Sequence, residues 1–417
     1  MVFRSKTATV TNDELSRMVG QFLTVERPRR QRLFTYYRGE QGVDKGRIAA
    51  GRPNNLLVSN YAKYISDVHT GYFLGQTPTF TCSGKRVQER LTQAFARTEL
   101  ATQLFSAARD MSICGEGYLL TYLEADGPRS ASLDPCGTFA IVSGIRDELV
   151  AVVRLQPNAQ GGAAGELYVP GAACDWEYDG RTVTCSPMQA LPLPMLPVAR
   201  FCNNRECMGD FEPICSLLDA YNVLLSGSMD DMQSVANAFL ALYGMQGTTK
   251  EDIDRANQSR VLSLSENGKA EFVVKHLSPD AISLMKDTLV RDMLSITMTP
   301  DLNDQAFSGN NSGVALEYKL WGAEQCRSAK ERGFHPGLMA LLRQYEESFR
   351  LLGYGAIGPV QVHYHKNLPR DLSRLCENLQ TLSGLLSRRT RLELLPFVQD
   401  ADKELRRLEE DAQQITH

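Results

Sequence analysis

The chain has 417 residues, 43% hydrophobic and 23% charged, a globular balance that excludes a largely disordered polymer. Its 49 acidic residues outnumber 45 basic ones, for a formal net charge of -4. That charge argues against a dominant grip on phosphates, while leaving room for contact with a nucleic acid that must slide rather than stick.

Length suggests two or three domains. The start, "MVFRSKTATVTNDELSRMVGQF", lacks the apolar segment of a secretory signal. No run approaches the roughly 18 apolar residues of a membrane span, so synthesis in a reducing cytoplasm is expected. Residues 1–110 are predicted to be mostly helical. Within them, "VERPRRQRLFTYYRGEQG" carries Arg27, Arg29, Arg30 and Arg32, read as a solvated surface run rather than a phosphate site.

From Gly115 to about Cys207 the texture changes. "YLLTYLE", "TFAIVS", "LVAVVRL", "ELYV" and "RTVTC" are short β-branched or aromatic runs separated by "ADGP", "LDPCG", "PNAQGGAAG" and "YDG". This spacing predicts an antiparallel sheet with long turns. "LPLPMLPV" (191–198) reads as an extended connector.

At Asp210 the helices return. Ile214, Leu217, Leu218, Tyr221, Leu224, Leu225, Met232 and Val235 recur at helical spacing. Asp210 is placed as the N-cap, Pro213 is tolerated in the first turn, and Gly227 weakens the middle. Residues 239–277 form a compact insert with strand-like "FLALYGM", "RVLSLS" and "EFVVKHL" and a charged helical piece, "TKEDIDRANQ". The next helix begins with Ser278 as N-cap and Pro279 at the first position. It carries a stripe of Ile282, Met285, Leu289, Met293 and Ile296, and is expected to stop at Pro300.

"DLNDQAFSGNNSGVAL" (301–316) follows, with two glycines, two aspartates, three asparagines and no Lys or Arg. The next helix has its stripe at Leu338, Leu341, Leu342, Tyr345, Phe349 and Leu352, and Pro336, flanked by Gly333 and Gly337, is expected to kink it. "PVQVHYHKN" alternates like one strand. The tail from "PRDLSRLCENLQTLSGLLSRRT" reads as two or three short amphipathic helices, and no repeat of solenoid period is found.

A search for catalytic chemistry finds no GxxxxGK[ST], HExxH, GxSxG or GxGxxG. "GNNSG" resembles a nucleophile elbow only superficially, because it lies between helices rather than after a strand. Ten cysteines are scattered with no CxxC. The nearest pair, Cys202 and Cys207, is spaced too loosely for a zinc ribbon, so core thiols are expected. His363 and His365 share one strand face without a Cys or carboxylate to complete a metal shell. Trp176 and Trp321 read as packing residues. No catalytic residue, metal or cofactor is expected. The two helices flanking the insert carry narrow apolar stripes that need something larger to pack on, and neighbouring copies in a ring would serve.

"YYRGEQGVDKGRIAAGRPNNLLVSNYAKYISDVHTGYFLGQTPTF" (36–80), "CGEGYLLTYLEADG" (114–127), "LLDAYNVLLS" (217–226), "FSGNNSGVALEYK" (307–319) and "LSGLLSRRTRLELLPFVQDADKELRRLEED" together resemble the portal proteins of tailed bacteriophages, siphovirus type. They occur in that family's order across nearly the whole chain. The resemblance implies an α+β, mainly helical portal fold assembled as a dodecameric ring at one capsid vertex, made in the host cytoplasm and carried in the virion. It implies a wing at 1–209 with its β-rich part at 115–207, stem helices at 210–238 and 278–300, and a clip at 239–277. A tunnel loop would occupy 301–313, a kinked long helix and wing strand 314–369, and a crown 370–417, short because the chain ends soon after "RRLEEDAQQITH".

Double-stranded DNA would pass through the channel in packaging and ejection. The terminase large subunit and later the head-completion or neck proteins would dock on the ring, with the major capsid and scaffolding proteins as further partners and no membrane involved. The tunnel-loop residues would be Asp301, Asn303, Asp304, Gln305, Ser308, Gly309, Asn310, Asn311, Ser312 and Gly313, and the motor-docking residues of the clip Lys250, Asp252, Arg255 and Lys269. Small uncharged or acidic side chains would avoid phosphate contacts that hinder sliding. The rival readings are a head or neck adaptor ring without a DNA channel and a nucleotide-driven packaging enzyme. Absence of a P-loop counts against the second.

Overall fold

A computed structural model describes residues 2–7, 9–46, 53–82, 84–144, 147–157, 162–236, 239–243, 249, 251, 269–273, 278–302, 318–367, 372–395, 398 and 401–414. The chain is mixed α+β and about half helical. It divides into a large unit, Met1–Lys366, and a small one, Asn367–His417.

In the large unit, β1 (Phe3–Ser5) precedes α1 (Asn12–Gln21), which starts with a capping box. The Thr11 side chain accepts from Glu14 N–H, and the Glu14 side chain answers at the Thr11 N–H. The helix runs on through a π-helical stretch, Phe22–Glu26, into α2 (Arg27–Arg38), ended by Gly39 at φ 73°. Then come α3 (Tyr61–Leu74), capped by Asn60, β2 (Thr79–Cys82), α4 (Lys85–Arg97) and α5 (Leu100–Cys114).

The β-rich region forms two sheets, not the single one expected. β3 (Glu116–Glu124) and β4 (Gly127–Leu133) make a hairpin, and β11 (Val198–Cys202) pairs with β3. β5 (Thr138–Ser143), β6 (Glu148–Pro157), β7 (Ala163–Val169) and β8 (Ala172–Tyr178) form an antiparallel meander. β9 (Val183–Cys185) and β10 (Gln189–Ala190) pair with β8, and β1 joins β5 in parallel. The break between sheets falls at Pro135–Gly137, a single 3₁₀ turn capped by Asp134. Each sheet buries a different set: Phe139, Ile141, Val153 and Trp176 pack under α1, and Leu119, Ala199 and Phe201 pack with α5 and the long helix described below.

α6 (Cys215–Ala236) follows a 3₁₀ turn, Glu212–Ile214, and runs through Gly227. β12 (Phe239–Tyr243) pairs antiparallel with β13 (Lys269–Val273). α7 (Pro279–Ile296) has Ser278 at its N-cap position, although the serine side chain makes no capping bond. α8 (Trp321–Leu351) is continuous through Pro336, and β14 (Val360–His363) pairs antiparallel with β2. In the small unit lie α9 (Leu372–Thr381), a 3₁₀ turn at Leu382–Gly384, α10 (Arg388–Glu393), N-capped by Ser387, and α11 (Ala401–Gln414). Among the described residues no helix is long and apolar enough to cross a membrane.

The glycines beside Pro336 have a packing role that the sequence did not suggest. A Cβ on Gly333 would lie 2.2 Å from Cys202 O, and one on Gly337 2.3 Å from Arg200 O. They let α8 lie directly on the backbone of β11. Gly337→Ala is therefore expected to lower stability by about 1–3 kcal/mol through overpacking. Gly71→Ala, mid-helix in α3 with nothing within 4 Å of its added Cβ, should instead raise it by about 0.5–1 kcal/mol. Urea midpoints of the two variants check the opposite signs.

The reading of Arg27, Arg29, Arg30 and Arg32 as a solvated run needs correction at Arg29 and Arg30, while Arg32 is exposed as expected. Arg30 is fully buried and pairs with Glu26 (3.0 Å) and Glu116, and also donates to Pro135 O (2.8 Å) and Thr138 O (3.0 Å). Arg29 pairs with Glu26 and Glu212, each at 2.6 Å. Glu26 lies one turn back on the same continuous helix, while Glu116, Glu212 and the two carbonyls lie elsewhere in the fold, and together they compensate the cost of removing these charges from water. Arg30 thereby ties α2 to the turn between the two sheets.

Candidate functional site

The distinctive region lies around α6, α7 and the chain that leaves α7. The two helices pack on each other. Leu218, Tyr221, Met293 and Leu294 are buried with Ile65, Ile113 and Phe211 in one core cluster. Other apolar residues are uncovered: Met229 and Met232 on α6, and Leu284, Met285 and Ile296 on α7, are all exposed, Leu284 at 69%. The stripe expected on α7 is thus split, with Met293 buried, Leu289 partly buried against the core and Met285 and Ile296 open. One side of α6 is covered by an extended segment of its own chain. Asn55 N–H donates to Asp230 (2.7 Å), Lys45 pairs with the same carboxylate, Leu57 N–H donates to Ser226 Oγ (2.9 Å), and Ser59 N–H donates to Asn222 Oδ1 (2.9 Å).

α7 does not stop at Pro300 but at Ile296. Thr299 N–H bonds to Leu294 O (2.9 Å) and Met298 N–H to Ser295 O (3.2 Å), with Met298 at φ 52°. This is a Schellman motif with methionine where glycine is usual, and Pro300 only prevents resumption. From Thr297 onward the chain is held by α3. His69 Nε2 is 2.9 Å from Thr297 O and 3.0 Å from Thr299 Oγ1. Tyr64 OH donates to Pro300 O (2.9 Å) and accepts from Leu302 N–H (3.1 Å).

Behind His69 sits a buried polar cluster. Lys330 Nζ donates to Asp210 (2.7 Å), Asn203 Oδ1 (2.7 Å) and Ser112 Oγ (3.2 Å), and Ser112 also bonds Asp210. Burial pushes the Asp210 carboxyl up, but Lys330 and lesser contributions from His69 and Ser112 outweigh it and hold it below its ordinary value. Burial lowers the His69 pKa. Asp210 is therefore an ion-pair partner in the core and not the cap of α6: its oxygens are taken by Lys330, Asn203 and Ser112, and the 3₁₀ turn before α6 starts after Phe211 without a side-chain cap. An open groove nearby is lined by Tyr61, Tyr221, Lys286, Arg291, Asp301 and Lys319 among others.

Of the loop residues expected to line a channel, Asp301 is exposed at the point where the chain leaves α7. Asn303, Asp304, Gln305, Ser308, Gly309, Asn310, Asn311, Ser312 and Gly313 lie outside the described residues, as do Lys250, Asp252 and Arg255. Lys269 opens β13, and its side chain is outside the description. Cys202 and Cys207, dismissed on spacing, do come together with Glu116, their ligand atoms all within 4.8 Å. Both Glu116 oxygens are already engaged, one by Arg200 Nε at 2.6 Å and the other by Arg30, and Arg200 Nη2 bonds Cys207 Sγ at 3.2 Å. Two guanidinium groups at that spot repel a divalent cation. His363 is exposed, and His365 Nε2 meets Thr79 Oγ1 at 3.0 Å. Lys330, Asp210 and His69 had no local sequence signal, since each finds its partners far along the chain.

The region thus combines two half-covered helices, a pair of strands between them among the described residues, and a tethered exit from the second helix. The chain matches the family described as phage portal protein, SPP1 Gp6-like, over residues 23–417, and it belongs to that family. It is 22% identical to the portal protein of Bacillus phage SPP1 over 418 aligned residues, covering 94% of this chain and 81% of that protein. The resemblance read from the ordered motifs is thereby borne out, and the protein is a virion component of a structural, non-enzymatic family.

Proposed function

We propose that the chain forms a dodecameric ring at one capsid vertex, with a central channel for double-stranded DNA in packaging and ejection. The observation that carries the reading is the pair α6 and α7. Apart from their buried junction, these helices keep Met229, Met232, Leu284 and Met285 in water, which neighbouring copies would cover. In this reading α6 and α7 are the stem and the insert at 239–277 is the clip. The clip docks the terminase large subunit and later the head-completion or neck proteins, by a polar interface of modest size. Residues 301–313 form the tunnel loop, the remainder up to residue 369 forms the wing, and residues 370–417 form the crown. The capsid and scaffolding proteins surround the ring.

Purified chain is expected to assemble into closed rings, with native mass spectrometry giving the subunit count. A monodisperse monomer at micromolar concentration would sink the proposal. Electron micrographs viewed down the ring axis separate it from a neck adaptor: the portal reading requires an open axial channel wide enough for duplex DNA.

A further inference from the structure

The chain leaving α7 is held in place from outside its own helix. Its Schellman motif satisfies Met298 and Thr299 N–H, but Thr297 O, Pro300 O and Leu302 N–H find their partners on α3. A carbonyl oxygen can only accept, so His69 Nε2 carries the proton it gives to Thr297 O. The burial that lowers this imidazole's affinity for a second proton keeps it neutral. Thr299 Oγ1 shares the same nitrogen and bonds Thr297 Oγ1 at 2.8 Å. Tyr64 uses one oxygen twice, donating to residue 300 and accepting from residue 302, and so spans the backbone on both sides of Asp301.

α3 is a firm base for these contacts. Ala62 and Ile65 are buried in the same cluster as Met293 and Leu294, Tyr61 packs edge-on against Tyr221 of α6 (centroids 5.5 Å apart), and Phe73 packs against Phe334 of α8 (5.3 Å). Ser112, which bonds Asp210 and Lys330, also reaches Ser66 O at 3.4 Å. A methionine at φ 52° persists only where its surroundings over-determine the backbone, and here side chains of α3 are among the determinants, together with α8, whose Gly322 lies against Met298.

We propose that Tyr64 and His69 are positioning residues that fix where the segment Thr297–Leu302 leaves the core, and thereby set the starting point of the tunnel loop. The functional half rests on the channel reading above; the anchoring half does not. The test uses full-length rings carrying Tyr64→Phe, His69→Leu or His69→Gln. Phenylalanine removes one oxygen atom, leucine removes the donor, and the glutamine Nε2 can restore the bond to Thr297 O.

Hydrogen exchange should accelerate about tenfold or more at the amide of Leu302 in Tyr64→Phe, and across 297–302 in His69→Leu, with His69→Gln near wild type. Ring mass should not change, and particles carrying Tyr64→Phe rings should package DNA more slowly. Unchanged exchange at 297–302 in both Tyr64→Phe and His69→Leu overturns the anchoring. Accelerated exchange with wild-type packaging overturns the link to the channel. Should wild-type rings show no open axial channel, the channel reading fails, while the exchange result still decides the anchoring.

Discussion

Replacing Glu116 by glutamine is expected to cost about 3–5 kcal/mol of unfolding free energy, the range for breaking a buried ion pair and leaving charge behind. Glu116 and Arg30 are both buried, and Glu116 lies between Arg30 and Arg200. With the neighbouring Arg29, Glu26 and Glu212 the cluster has three charges of each sign, so neutralising one carboxylate leaves an excess positive charge in the core. Burial alone would raise the Glu116 pKa, but Arg200 and Arg30 outweigh it and bring it from 4.5 down to about 2. A lowered folded-state pKa contributes stability that is fully present above the unfolded value near 4.5. It is lost as pH falls toward 2, and amounts to on the order of 3 kcal/mol. Wild-type protein should therefore lose stability steeply below pH 4.5, while Glu116→Gln follows a flatter profile and the two converge. Denaturation midpoints between pH 7 and pH 3 measure this. A gap between the two proteins that stays constant over that range would show that the carboxylate charge is not what matters. Glu124→Gln, in an exposed pair with Arg129, should stay within about 0.5 kcal/mol of wild type.

Local pattern carried much of the secondary structure, and distant partners account for where it failed. "TFAIVS" was legible as β5 to the residue because β-branched and aromatic side chains fill a run bounded by turns. Arg30 in the Arg27–Arg32 run was misread because a buried arginine and a solvated one look alike in sequence. The difference lies in Glu116 and in the carbonyls of Pro135 and Thr138, more than 80 positions away. Asp210 fitted a cap by its place before a helix, but Lys330, 120 positions later, claims it. Pro300 was credited with ending α7, although Met298 does so in a conformation that usually calls for glycine. Gly333 and Gly337 were attached to a kink, whereas close approach to β11 explains them. The family was legible for another reason: several motifs in a set order are specific even where each is weak, and no single side chain announced a function.

Placing lysine at both Asp301 and Asp304 is expected to leave ring assembly intact and to slow or stall DNA movement, most severely at low salt. Asp301 is exposed where the chain leaves α7, and the stretch from 301 to 316 carries no Lys or Arg. In a ring whose loops surround DNA, each copy would present weakly repulsive carboxylates to the phosphates, so that the duplex slides without being held. The double substitution reverses both charges in every subunit. Each phosphate then engaged releases condensed counterions, which deepens binding and steepens its salt dependence by a slope of about -0.9 per contact on a double-logarithmic plot. Packaging rates of the double variant should accordingly recover as salt rises, because screening weakens the new contacts while leaving the motor's own step in place. The salt series separates this effect from general damage, since a misfolded ring or a motor that no longer docks stays slow at every ionic strength. Wild-type rates at all salt concentrations would place the segment away from the channel wall, as an ordinary linker on the outside of the ring.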